Sequence, residues 1–214
     1  MQAEELIIIG GGEHARVVAE AARSTDGQWH VAGFVDPAAR PETTARSGLK
    51  RLGDDVALGQ HPRASAILGF GGVEKGDARE NAVNKTSTYV KKWATIIHDR
   101  AIVSPTAKVG AGTVVMAGAV IQTGATVGAH AIINSGAIIE HDVTVGDFSQ
   151  ISPGAVIGGA ARIGRQVFVG LGAVIRDHIE VGDESIIGMG AAVVGDVRPR
   201  TRVMGVPAKT SGRD

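Results

Sequence analysis

Three consecutive ionisable side chains, Glu140-His141-Asp142, interrupt a stretch that is otherwise mostly Ala, Gly, Val, Ile, Ser and Thr. A neutral imidazole beside a carboxylate is a proton acceptor whose tautomer the carboxylate fixes and whose basicity it raises. The competing reading is a solvated surface pair, and the setting in a small-residue segment argues against it. The other histidines, His14, His30, His61, His98, His130 and His178, have no comparable surroundings. A second constellation, Gly10-x-Gly12-x-x-Ala15, is a phosphate cradle. Its glycines let the backbone approach an anion, and the following helix N-terminus presents free N–H groups. Asp36, at the end of the next apolar run, is placed to accept hydrogen bonds from a ribose or a base. The competing reading here is a tight turn and nothing more. With no cysteine in 214 residues, thiolate nucleophiles, disulfides and Cys–zinc sites are all excluded.

The elements that position these residues follow from two different periodicities. From Val103 to Val193 every sixth residue is Val or Ile, without an insertion, and the residue two before is commonly Ala. A period of six fits neither a helix nor a lone strand. It fits a triangular coil of three six-residue faces, about 18 residues per turn, stacked at the ~4.8 Å spacing of paired strands. Glu140-His141-Asp142 follows the axial position Ile139, so these side chains are expected at the coil surface. The 31 glycines, about twice the usual share, and the 3% aromatics agree with a thin, repetitive core.

The first hundred residues differ. Leu6–Ile9 reads as a strand, Gly10–Gly12 as a turn, and Glu13–Arg23 as a helix with Val17, Val18 and Ala22 as its buried positions. Trp29–Val35 is a second strand and Ala66–Phe70 a third, giving a βαβ unit with a parallel sheet. About three strands fit, too few for a two-lobed dinucleotide domain, so a single nucleotide or a nucleotide-sugar is the expected ligand. Ala78–Lys92 reads as a connecting helix. The expected division is 1–75 for the nucleotide-sugar-binding domain, 76–97 for the connection, and 98–214 for the β-helix with its tail.

Lys+Arg and Asp+Glu are 22 each, so no global positive field favours nucleic acid. No apolar stretch approaches the ~18 residues of a membrane span. The N-terminus, two acids before a short apolar run, does not read as a secretion signal, and a cytoplasmic location is expected.

Ile7–Val18 (IIIGGGEHARVV), Asp36-Pro37, and the unbroken repeat carrying Asn134 and Glu140-His141-Asp142 together resemble the sialic-acid O-acetyltransferase-like family of nucleotide-sugar acetyltransferases. The likeness spans nearly the whole chain. It is strongest to the branch that N-acetylates 4-amino-sugars linked to UDP (the bacillosamine pathway) or GDP (perosamine). It implies an α/β Rossmann-like head on a left-handed parallel β-helix, a homotrimer with active sites between subunits, and acetyl-CoA as co-substrate. It implies His141 as base with Asp142 orienting it, and Asn134 on the sugar amine. It further implies Gly159 N–H on the thioester carbonyl; Gln150, Leu171, Gly188 and the tail at Lys209 on the coenzyme; and Gly10, Gly12, His14 and Asp36 on the nucleotide. A role in a cell-surface glycan such as an O-antigen is implied in the same way.

Two positions depart from the pattern. Some relatives have Glu at Asp142, and some have a second His at Gln150. O-acetylation of a sugar hydroxyl and a non-catalytic nucleotide-sugar sensor are the competing functions. A shared zinc of the gamma carbonic anhydrase kind, through His130, His141 and His178, is disfavoured because no two of these have close spacing within one coil.

Overall fold

A computed structural model describes residues 3–42, 47–73 and 76–211. The head is a parallel sheet of β1 (Glu4–Ile9), β2 (Trp29–Val35), β3 (Arg51–Gly53) and β4 (Ser65–Leu68) in the order β3-β2-β1-β4. It has four strands where the sequence suggested about three. The extra strand is an edge of three residues, Arg-Leu-Gly, too short and too polar to show a period. α1 (Glu13–Arg23) buries Ala15, Val18, Ala19, Ala21 and Ala22. Val17 stays 40% exposed, a correction to the expected face. Successive helical positions turn by ~100°, so Val17 and Val18 cannot both face the sheet centre.

α2 (Gly76–Thr86) ends six residues short of the expected Lys92. Thr86 turns its hydroxyl back onto Ala82 O, and its carbonyl accepts from both Tyr89 N and Val90 N, closing the last turn.

The repeat is a left-handed parallel β-helix of two-residue strands, one every six residues from β5 (Ile96–Ile97) to β21 (Ala192–Val193). It starts one strand earlier than Val103 because Ile97 already holds the six-residue phase. Strands eighteen residues apart pair in register, as Val127 does with Val145. The axial residues from Val115 onward, Ile121, Ile133, Ile139, Ile157 and Ile175 among them, form one buried column with the small Ala119, Ala137, Ala155 and Ala173.

From Gly112 to Gly190 the backbone enters the left-handed region once in every six residues. Glycine occupies this position at 112, 118, 124, 136, 154, 172 and 190. His130, Asp142, Phe148, Ala160, Gln166, His178 and Glu184 occupy it against their intrinsic preference. Past the last coil, β22 (Arg202–Met204) and β23 (Lys209–Thr210) make a short antiparallel cap.

The three faces of the prism differ on their outer sides. One carries Lys108, Thr126, Thr144, Arg162 and Glu180, all exposed. The second carries Ile96, Val114 and Ile132, fully covered by Leu6, Ile8, Ala15 and Val18 of the head. The third carries Ile102, Val120, Ile138, Val156, Val174 and Ala192, an apolar ladder with Ile102 68% and Val174 49% exposed. These are called below the polar, covered and apolar faces.

Candidate active site

His141 and Asp142 sit at the edge joining the apolar face to the polar face, between β12 (Ile138–Ile139) and β13 (Thr144–Val145). His141 Nδ1 lies 3.0 Å from Asp142 Oδ2, and both side chains are open to solvent. A carboxylate accepts only, so Nδ1–H donates and Nε2 is left as the unprotonated nitrogen. Nε2 points over the next coil, where a Cβ on residue 159 would come within 2.6 Å of it and displace the ring. Among the described residues no acceptor takes the Gly159 N–H. The imidazole therefore lies against a residue whose backbone donor is free.

Asp142 reaches this position from the left-handed conformation, φ 60°. One coil above, Gly124 leaves the space its carboxylate fills, and a side chain there would collide with Oδ1.

Asn134, Leu171 and Gly188 sit on a different edge, the one joining the covered face to the apolar face. Asn134 Oδ1 accepts from Ser135 N at 2.9 Å, and Leu171 is 51% exposed. Lys209 is exposed on β23. Within one chain, the width of the apolar face separates this set from His141. Gln150 lies apart from both sets, on the covered face, where its Oε1 accepts from Gly72 N at 2.8 Å.

In the head, Gly10 (φ 94°) starts the turn, and a Cβ there would press on the Phe70 ring at 2.8 Å. Gly12 caps α1 with no side-chain hydrogen bond, and nothing lies within 4 Å of where its Cβ would be. The helix N-terminus is thus open to a ligand. Asp36 ties the turn together: Oδ2 accepts from Gly11 N at 2.9 Å and Oδ1 from Ala38 N at 2.8 Å. Its carboxylate keeps lone pairs for a ligand while holding the cradle. His14 is half-buried, with an unpartnered Nε2, and burial and then the nearby Arg79 cation lower its pKa to about 4. A cavity of about 300 Å³ opens beside Pro37, lined by Asp54, Asp55, Val56, Lys85, Thr88 and Tyr89.

Of the histidines weighed as metal ligands, His130 is stacked on Phe148 at 5.0 Å and edge-on to Trp93 at 4.7 Å. His178, two coils below Asp142, stands 3.8 Å from Asp177. Among the described residues no three His, Cys, Asp or Glu side chains come together.

The polar residues that fasten the head to the β-helix carry no local sequence signal. Arg165 and Gln166 donate to the Glu80 carboxylate at 2.7–3.2 Å. Arg79, 2% exposed, donates to Phe70 O and to His130 O, the latter at 2.6 Å.

Residues 5–85 match the PglD N-terminal domain family, and residues 124–159 match the bacterial transferase hexapeptide (six repeats) family. No curated protein matches the chain. Among solved structures, the acetyltransferase domain of PglB from Neisseria gonorrhoeae is 32% identical, with a TM-score of 0.89 over 97% of this chain and 100% of that one. The same domain in complex with acetyl coenzyme A matches at the same identity and TM-score. A mutant of perosamine N-acetyltransferase from Caulobacter crescentus, in complex with CoA and GDP-perosamine, is 31% identical. Its TM-score is 0.86 over 98% of this chain and 97% of that one. The chain belongs to the hexapeptide-repeat family of nucleotide-sugar acetyltransferases, and it is an acyltransferase.

Proposed function

We propose that the chain transfers the acetyl group of acetyl-CoA to the 4-amino group of a nucleotide-linked sugar, GDP-perosamine being the first candidate. The observation that carries this reading is the His141 imidazole, with Nδ1 held by Asp142 and Nε2 over Gly159, whose N–H no described acceptor takes. The sugar amine attacks the thioester carbonyl directly, in a ternary complex, since no cysteine is present to carry the acetyl group. Nε2 takes the proton as the C–N bond forms. The Gly159 N–H faces the developing oxyanion, a contribution of roughly 2.7–4 kcal/mol. Collapse expels the CoA thiolate, which leaves protonated, and the product is an amide.

Acetyl-CoA runs along the coils past Leu171 and Gly188 to the cap at Lys209. The nucleotide sits on the Gly10–Gly12 turn with His14 and Asp36, and the cavity beside Pro37 is the place for the base. Asn134 contacts the sugar amine. The His141 set and the Asn134–Leu171–Gly188 set lie on opposite edges of the one apolar face. They meet when that face packs against a second copy, so the working unit is a homotrimer with its sites between subunits. Relatives solved with CoA and GDP-perosamine support the choice of substrate.

The test is a panel of GDP-, UDP- and dTDP-linked 4-amino-sugars with acetyl-CoA, reading released thiol, alongside matched 4-hydroxy sugars. Turnover confined to the amino-sugars is expected. Faster turnover of the hydroxy-sugars would replace N- with O-acetylation.

A further inference from the structure

Arg79 is a buried cation, and among the described residues no carboxylate pairs with it. Burial lowers its pKa to about 10, which leaves it charged at neutral pH. Its Nε has no partner. An apolar side chain in such a place is commonly neutral or better for stability, so this guanidinium calls for another explanation. Its two hydrogen bonds supply one. One goes to Phe70 O, in the loop after β4, and the other to His130 O, on the edge of the β-helix against which the head packs. A planar fork that engages two carbonyls sets their relative position, which a flexible ammonium does not.

The same loop is held a second time, by Gln150 Oε1 accepting from Gly72 N. The loop also touches the phosphate cradle: Gly69 N donates to Ile9 O at 2.8 Å, and the Phe70 ring closes over Gly10. Because β1 has β2 on one side and β4 on the other, the crevice where α/β sheets bind ligands opens between the carboxyl ends of β1 and β4. The loop of residues 69–73 is one wall of that crevice.

We propose that Arg79 and Gln150 are positioning residues for the acceptor. Together they fix the 69–73 loop between the phosphate cradle and the β-helix, so that a nucleotide-linked sugar bound in the head reaches the catalytic coils at a set distance. The inference rests on the acetyl-transfer reading above. It assigns Gln150 to the acceptor side and removes it from the coenzyme contacts.

The experiment compares wild type with Arg79→Met, Arg79→Lys and Gln150→Leu in the intact protein. Three quantities are read: KM and kcat for the nucleotide amino-sugar, the Kd of CoA by calorimetry, and hydrogen exchange of residues 69–73. Arg79→Met is expected to lower kcat/KM for the acceptor about 10- to 100-fold, the rate a misplaced reactant loses, with CoA affinity within about twofold of wild type and faster exchange in the loop. Arg79→Lys, which keeps the charge but not the fork, falls between. Gln150→Leu gives the same pattern more weakly and serves alone if Arg79→Met does not fold. An unchanged acceptor kcat/KM in the folded variants overturns the proposal, as does an equal loss of CoA affinity. A wild type that acetylates no nucleotide amino-sugar sinks the functional reading instead. Loop exchange needs no turnover, and unchanged exchange in both variants overturns the proposal in that case too.

Discussion

In the proposed mechanism His141 and Asp142 carry the chemistry from a solvent-open edge, and that openness sets how much each is worth. Removing a positioned base lowers rate by ~10²–10⁴-fold, so His141→Ala is expected to reduce kcat at least about a hundredfold while CoA still binds. Near-normal kcat would take His141 out of the mechanism. Asp142 has two opposing effects, because its backbone is left-handed and its carboxylate orients the ring. Asp142→Gly relieves about 1 kcal/mol of backbone strain yet frees the imidazole. Thermal stability is expected to rise while kcat falls about 10- to 100-fold, less than the ~10⁴ of a buried triad aspartate because water screens this pair. A variant less stable than wild type would refute the strain argument. His14 and His130 behave differently. Burial first, and Arg79 second, lower both to about 4; Asp147 partly offsets the shift at His130. Above pH 6.5 both rings are neutral, folded or unfolded. Between about 6.5 and 4 the unfolded chain binds protons that the folded one refuses, so stability falls by up to ~1.4 kcal/mol per pH unit for each ring. Thermal melts across that range are expected to show this slope, and His130→Asn to flatten it by about half.

At the scale of elements, all of the β-helix but its first strand was legible because its core is one-dimensional. The same step of six brings Val or Ile to the axis in every strand, and each strand pairs with a copy of itself eighteen residues on. Ile139 shows the energetic consequence. It is wholly buried one coil-face before the His141 edge, so Ile139→Ala is expected to cost about 2–5 kcal/mol. The truncation is also expected to loosen the edge, lowering kcat beyond the loss of folded protein; denaturant melts beside active-site titration separate the two. The left-handed residue at each turn was not read from the sequence, because glycine holds it at only half of the turns, and side chains such as Asp142 and Glu184 hold the rest. The head was only partly legible. The Gly10–Gly12 cradle, α1 and three strands carry local signals, whereas β3 is too short to show a period. Arg79 sits in a helix of unremarkable polarity, and its partners are backbone carbonyls 9 and 51 residues away. Contacts to carbonyls leave no residue type to read, so neither the docking of the head nor the position of Gln150 could be seen in the sequence.

Across the whole molecule, the three outer faces have three different solvents. The polar face meets water, the covered face meets the head, and the apolar ladder from Ile102 to Ala192 is left half-buried to exposed by the described residues. A row of this kind on a stacked sheet marks an interface between protein surfaces, and a closed cyclic assembly covers it in every copy. The ladder also lies between the two edges that carry the candidate residues, so in the proposed trimer assembly and catalysis depend on the same surface. Ile138→Lys places a cation in the middle of the row and is expected to give monomers by sedimentation, with turnover lost although His141 is intact. Full activity in a monomer would show that one chain holds a whole site. Complementation tests the same point without disrupting the interface. His141→Ala removes one edge, and Leu171→Glu puts a charge on the other. Each variant alone is expected to be nearly inactive. Co-expressed one to one, they form mixed trimers in which about one site in four joins an intact His141 edge to an intact Leu171 edge. Activity should therefore return to about a quarter of wild type. If both edges of a site came from the same chain, no mixture would recover any.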